Sequence, residues 1–264
     1  MNNGADMPLM GRPSVAAVGA FLVFSGLALL PVFPADALGD DHMEILRYEV
    51  TWNGQKAAHG DITTKRDGAD MHVSVQAVSD GVLKTMIELW SKVQAGFHAK
   101  TFRPQWYTFQ LKSNLLPAEL VNLTFDHKSG LVMVDKQKGE ERESHQEQYQ
   151  SAYDPITAAF LLRSQPRFEK ALRVDVYDGK DRARLFVTPH TTGPLTVKGG
   201  TFQALGLDLK IVKLTGDKKE LGKARLWMSD DSRRIPLLLT SNPIVGTIRF
   251  ELLQAGGPPR GNPS

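Results

Sequence analysis

The chain has 264 residues, 41% hydrophobic and 23% charged, which is the composition of a globular protein rather than a disordered one. Its net charge of +3 is dispersed, with bases and acids interleaved as in residues 136–143, which argues against the concentrated basic stripe of a nucleic-acid binder. There is no cysteine, which excludes disulfides, thiol catalysis, cysteine-ligated metals and the acylated cysteine of a lipoprotein.

The N-terminus reads as an export signal. Arg12 precedes an apolar run over residues 15–32, Pro31 and Pro34 break any helix, and Ala35-Asp36-Ala37 supplies small residues at a cleavage site. The expectation is a signal peptide over residues 1–37 cleaved after Ala37, a linker over 38–43, and a periplasmic or otherwise exported mature chain. The alternative is a retained anchor, because the run approaches the roughly 20 residues that span a bilayer. Either arrangement places the rest of the chain outside the cytoplasm.

Alternation with a period of two then dominates. Leu46, Tyr48, Val50 and Trp52 alternate with polar residues, as on a strand with one apolar face, and Asn53-Gly54 supplies hairpin turn chemistry. A returning strand is expected near residues 58–65, and Asp67-Gly68 turns the chain into Met71, Val73, Val75 and Ala77. Residues 81–90 space Leu83, Met86, Ile87 and Trp90 as a helix does, although a strand could begin near Ile87. Val121, Leu123 and Phe125 precede a turn into residues 131–135. Residues 138–150 are polar and read as a mobile loop or an extended edge strand.

Asp154-Pro155 is an N-cap followed by proline at the first helical position, opening a helix over residues 156–163 that ends on Arg163. Strands follow at residues 172–176, 182–188, 207–214, 224–228, 235–241 and 248–252, with a bulge near Ile211 where the alternation changes phase. Short strands joined by tight turns pair antiparallel. The expected fold is mainly β, a strongly curved antiparallel sheet or open barrel of roughly ten or eleven strands. One or two short helices lie on its concave side. Residues 44–253 form a single β-rich domain, and residues 254–264 form a disordered tail.

Several landmarks carry a resemblance. They are residues 48–54 (YEVTWNG), Asp154-Pro155 with the helix ending Phe160-Leu161-Leu162-Arg163, residues 176–179 (VYDG), Gly200-Thr201-Phe202, residues 226–236 (LWMSDDSRRIP) and residues 246–252 (GTIRFEL). Over about residues 44–253 the chain resembles the bacterial envelope family catalogued as domain of unknown function 3108. That resemblance implies envelope residence and a β-rich fold, with no established activity. Residues 81–97 depart from the family pattern in their Trp and Lys content. At the level of architecture alone, the chain is also similar to periplasmic lipoprotein carriers.

No catalytic or metal motif stands out. The seven histidines form no ligand spacing, Asp230-Asp231 reads as a turn, and no serine nucleophile motif is present, so a non-enzymatic protein without cofactor or metal is expected. The aromatic residues between positions 90 and 109 suggest an apolar cavity within the curved sheet. Trp90, Phe97, Trp106 and Phe109 would line it, Phe160 would cap it, and Arg163 or Lys92 would meet an anionic head group. The expected partner is a lipid or acylated ligand, with peripheral membrane contact compatible with the mild positive charge. The alternatives are an interaction module that recruits an envelope protein through its edge strands, and, less favoured, an envelope hydrolase.

Overall fold

A computed structural model describes residues 43–148, 152–165, 168–216, 218–243 and 246–256. The expected signal peptide, its cleavage site after Ala37, the linker up to residue 42 and the tail from residue 257 lie outside the described residues. Fourteen strands form one antiparallel sheet. The first eight are β1 (Met43–Trp52), β2 (Gln55–Asp67), β3 (Asp70–Ser79), β4 (Leu89–His98), β5 (Pro104–Ser113), β6 (Glu119–Asp126), β7 (Leu131–Lys138) and β8 (Glu141–Gln148). The other six are β9 (Leu172–Tyr177), β10 (Arg182–Val197), β11 (Gly200–Lys213), β12 (Glu220–Ser229), β13 (Pro236–Ser241) and β14 (Ile248–Gly256). Helix α1 (Gly81–Lys84) is a single turn between β3 and β4, and α2 (Pro155–Arg163) separates β8 from β9.

The spatial order is β8-β7-β6-β5-β4-β3-β2-β1-β14-β13-β12-β11-β10-β9. Two meanders, β1–β8 and β9–β14, are therefore joined where β14 pairs with β1, from Ile45↔Gly256 to Trp52↔Ile248. Gln254, Ala255 and Gly256, expected in the tail, belong to β14. The bulge expected near Ile211 appears as a register shift between Ile211 and Val212.

The strand count exceeds the expectation because β5 lacks clean alternation, β8 is polar on both sides, and β4 begins within the helix expected over residues 81–90, which ends at Lys84; the helices also divide differently from the expected pair. Only α2 lies on the concave side. Helix α1 sits at the rim, where Asp80 accepts from the Gly81 amide at 2.7 Å and binds Lys56 at 2.7 Å. The hydrogen bond from Lys56, then that from the Gly81 amide, hold the Asp80 carboxyl down to about 2.

The inner face carries the core. Leu46, Tyr48 and Val50 of β1 lie in register with Ile62, Gly60 and Ala58 of β2, and these positions are buried. The same face continues through Val73 and Val75, Val93 and Ala95, Tyr107 and Phe109, then Val121 and Leu123. Over this face lies α2, in which Pro155, Ile156, Thr157, Ala158, Ala159, Phe160, Leu162 and Arg163 are buried. A helix with apolar residues all round its circumference belongs inside a core.

Asp154 starts this helix from within the core, accepting from the Thr157 amide at 2.9 Å and from the Thr157 hydroxyl. Burial outweighs those hydrogen bonds and raises its carboxyl from 3.8 to about 6. The folded state thus holds a proton that the unfolded chain releases. The resulting stabilisation is complete below the unfolded value of 3.8 and is lost as pH rises through about 6. Asp154→Asn keeps the capping acceptor and removes the charge. It is expected to be more stable than wild type by up to about 3 kcal/mol at pH 8, converging with it near pH 4. Urea titrations of both proteins across that range check this, and parallel curves would refute it.

Candidate functional site

The aromatic residues singled out from sequence divide between the two faces of the sheet. Phe97 and Phe109 point inward with the core, as the alternation of β4 and β5 requires. Phe160 of α2 meets Phe97 edge-on, with ring centroids 4.9 Å apart, and Phe102 stacks on Phe97 at 6.2 Å. At the level of Phe97, the space assigned to an apolar cavity is thus occupied by α2 itself.

Trp90, Lys92 and Trp106 fall on the opposite phase of β4 and β5 and face outward, so they are not brought together with Phe97, Phe109 and Phe160. Lys112 lies over the Trp90 ring at 5.5 Å. The Trp106 indole rests against the backbone of Gly96, where any side chain would collide with it. Trp90 and Trp106 therefore coat the outside of the barrel rather than line its interior.

Arg163, at the last turn of α2, is brought into the interior. It is 3% exposed, and its Nη2 donates to the carbonyl of Arg233 in the β12–β13 turn. Its Nε and Nη1 have no hydrogen-bond partner. Glu44, on the inner face of β1, is 2% exposed, and neither of its carboxylate oxygens has a partner. Directly across the β1–β2 ladder stands Thr64, fully buried, whose hydroxyl is also unpartnered. Arg233 pairs with Glu44 as an ion, its Nη2 3.9 Å from Oε1, beyond hydrogen-bonding distance.

Desolvation dominates both ionisable groups. Burial raises the Glu44 carboxyl, opposed by the charges of Arg163 and Arg233. Burial likewise pushes Arg163 well below its ordinary value, opposed by Glu44, Tyr48 and Asp231. The surrounding polar groups are already engaged. Tyr48 Oη donates to the Pro236 carbonyl at 2.8 Å. Asp231 Oδ1 accepts from Ser229 Oγ at 2.7 Å and from the Arg233 and Arg234 amides at 3.0 and 3.1 Å, forming the turn expected at Asp230-Asp231. A buried charge without a partner costs several kcal/mol. Glu44, Thr64 and Arg163 therefore form a polar recess whose hydrogen-bonding capacity the described residues leave unfilled.

The two ends of the sheet meet at a seam. Strands β8 and β9 end the sheet and share no ladder; side chains join them instead. Glu147 of β8 accepts from Tyr177 Oη and from Arg182 Nη2, the latter at 3.0 Å. These bonds outweigh desolvation and lower the Glu147 carboxyl. The β9–β10 turn crosses onto the inner face of β6. A Cβ at Gly179 would stand 2.5 Å from Val121 Cγ1, and its φ of +88° also favours glycine. Glu147→Gln is expected to speed amide exchange in β8 while lowering the melting temperature by no more than about 2–4 °C, because the cluster is partly hydrated. Exchange mass spectrometry checks this; unchanged protection of β8 would refute it.

A family model described as protein of unknown function (DUF3108) matches residues 47–253. No curated protein matches the sequence. The structure is similar to a β-barrel-like protein of domain of unknown function DUF1849 from Brucella abortus, with a TM-score of 0.57 and 10% identity, covering 83% of this chain and 99% of that one. It is similar at a lower TM-score of 0.35, with 10% identity, to a protein with a YmcC-like fold from Bacteroides fragilis, covering 86% of this chain and 99% of that one. The Brucella likeness establishes the shared barrel-like fold.

Proposed function

We propose that this chain, which belongs to the DUF3108 family of proteins of unknown function, is a non-enzymatic envelope protein that binds an amphipathic ligand, a lipid or acylated partner, on the inner face of its sheet. The observation that carries this reading is Arg163, buried at the end of an apolar helix with two donors left unpartnered. A lipid head group supplies the anion that such a guanidinium lacks. The acyl chain packs against Phe97, Phe109 and Phe160, exchanging with apolar contacts that α2 makes there.

Residence outside the cytoplasm rests on the order of charge, apolar core, helix breaker and small residues over residues 12–37. The alternative of partner recruitment by strand addition is disfavoured by β8. Its residues Glu141, Arg142, Glu143 and Glu147 give this free edge the charges that discourage pairing.

Native mass spectrometry of the protein purified gently from envelope fractions tests the reading. The expected result is an adduct of lipid mass that organic extraction removes. A bare protein that also fails to bind a fluorescent fatty acid would overturn it.

A further inference from the structure

We infer that the head group is zwitterionic, an anion bound by Arg163 beside a hydrogen-bonding amine bound by Glu44 and Thr64; this rests on the amphipathic-ligand reading above. Two complementary half-sites carry the inference. One offers only donors, the Nε and Nη1 of Arg163. The other offers the two carboxylate oxygens of Glu44 and the hydroxyl of Thr64, which face inward side by side from β1 and β2. The half-sites do not satisfy each other, for every one of these atoms is buried and has no hydrogen-bond partner.

Charge decides what fills them. The groups around the recess are Glu44 from β1, Arg163 from α2, and Asp231 and Arg233 from the β12–β13 turn, with neutral Tyr48 and Thr64 completing it. Two anions face two cations, so the ionised recess is neutral and a neutral ligand preserves that balance. A head group bearing only an anion would engage Arg163 while setting its charge beside Glu44, where low dielectric magnifies repulsion. A purely cationic head group meets the same objection at Arg163. A head group carrying both signs presents each to its complement. A primary amine adds hydrogen bonds that a quaternary ammonium lacks, and Glu44 and Thr64 are acceptors in search of donors.

The test uses short-chain lipids that differ only in the head group. Dihexanoyl phosphatidylethanolamine, phosphatidylcholine and phosphatidylglycerol are titrated into the purified protein by calorimetry below their micelle concentrations. Wild type is expected to bind the ethanolamine lipid at least about tenfold tighter than either of the others, as a charge-assisted hydrogen bond allows. Glu44→Gln should abolish the preference over phosphatidylglycerol while retaining binding. Thr64→Val, which leaves Glu44 in place, should reduce it severalfold. Equal affinities in wild type, or a preference that survives both substitutions, would overturn the zwitterion while leaving the amphipathic-ligand reading intact. Failure to bind any of the three lipids would overturn both.

Discussion

The double variant Glu44→Gln with Arg163→Met is expected to be more stable than wild type, by about 1–4 kcal/mol in urea denaturation, and to lose its ligand adduct. Both ions are desolvated, Glu44 makes no hydrogen bond and Arg163 makes one, so replacing them by neutral groups of similar length removes a penalty. The hydrogen bond from Arg163 to the Arg233 carbonyl is lost as well, at a cost of about 1 kcal/mol. Arg163→Met alone should be less stable than the double variant, because it leaves the buried Glu44 carboxylate with only Arg233 beside it. Gain of stability with loss of binding is the signature of a site maintained against the folding free energy. A double variant destabilised by more than about 2 kcal/mol would instead identify the pair as a structural staple.

Phe160→Ala is expected to cost about 3–5 kcal/mol, a large share of the roughly 5–15 kcal/mol that holds a domain together. Phe160 is 1% exposed and lies under the sheet, so its removal leaves a void rather than a hydrated patch. The edge-on contact with Phe97 adds about 0.5–1.5 kcal/mol to the area term. Equilibrium urea denaturation measures the loss, and a value below about 1 kcal/mol would mean that α2 is loosely held.

The fold was legible wherever one face of a strand is apolar and the other polar. That holds for β1, β3, β6, β9 and β14, whose alternation and turns mark them without further information. It fails for β5, where Trp106 faces out and Tyr107 and Phe109 face in, so both sides are aromatic and the period of two disappears. In β8 the inward positions His145 and Glu147 are as polar as the outward ones, because this edge faces a seam instead of the core. Composition therefore left it readable as a loop or as an extended edge strand, and the edge strand is what forms.

The site was half legible. Arg163 stood out because it ends an apolar helix, and Phe97 and Phe160 because of their bulk. The outward turn of Trp90 and Trp106 was hidden by the lost alternation. Glu44 and Thr64 were missed although a signal existed. Glu44 is in phase with Leu46, Tyr48 and Val50, and Thr64 with Ile62, so each is a polar residue on the apolar side of its strand. Only the β1–β2 register sets them side by side, and only the folded chain brings Arg163 to them.

The joining of β8 to β9 by Glu147, Tyr177 and Arg182, with no backbone ladder, has a consequence for capacity. In a closed barrel, strand number and shear fix the diameter, so admitting a bulkier guest means breaking a ladder. Here the sheet is a coil whose ends overlap, and its girth is not quantised. A change of girth at this seam would break a few side-chain bonds and no strand pairing. The girth of the interior is thus held by side-chain bonds at the seam rather than by a closing ladder.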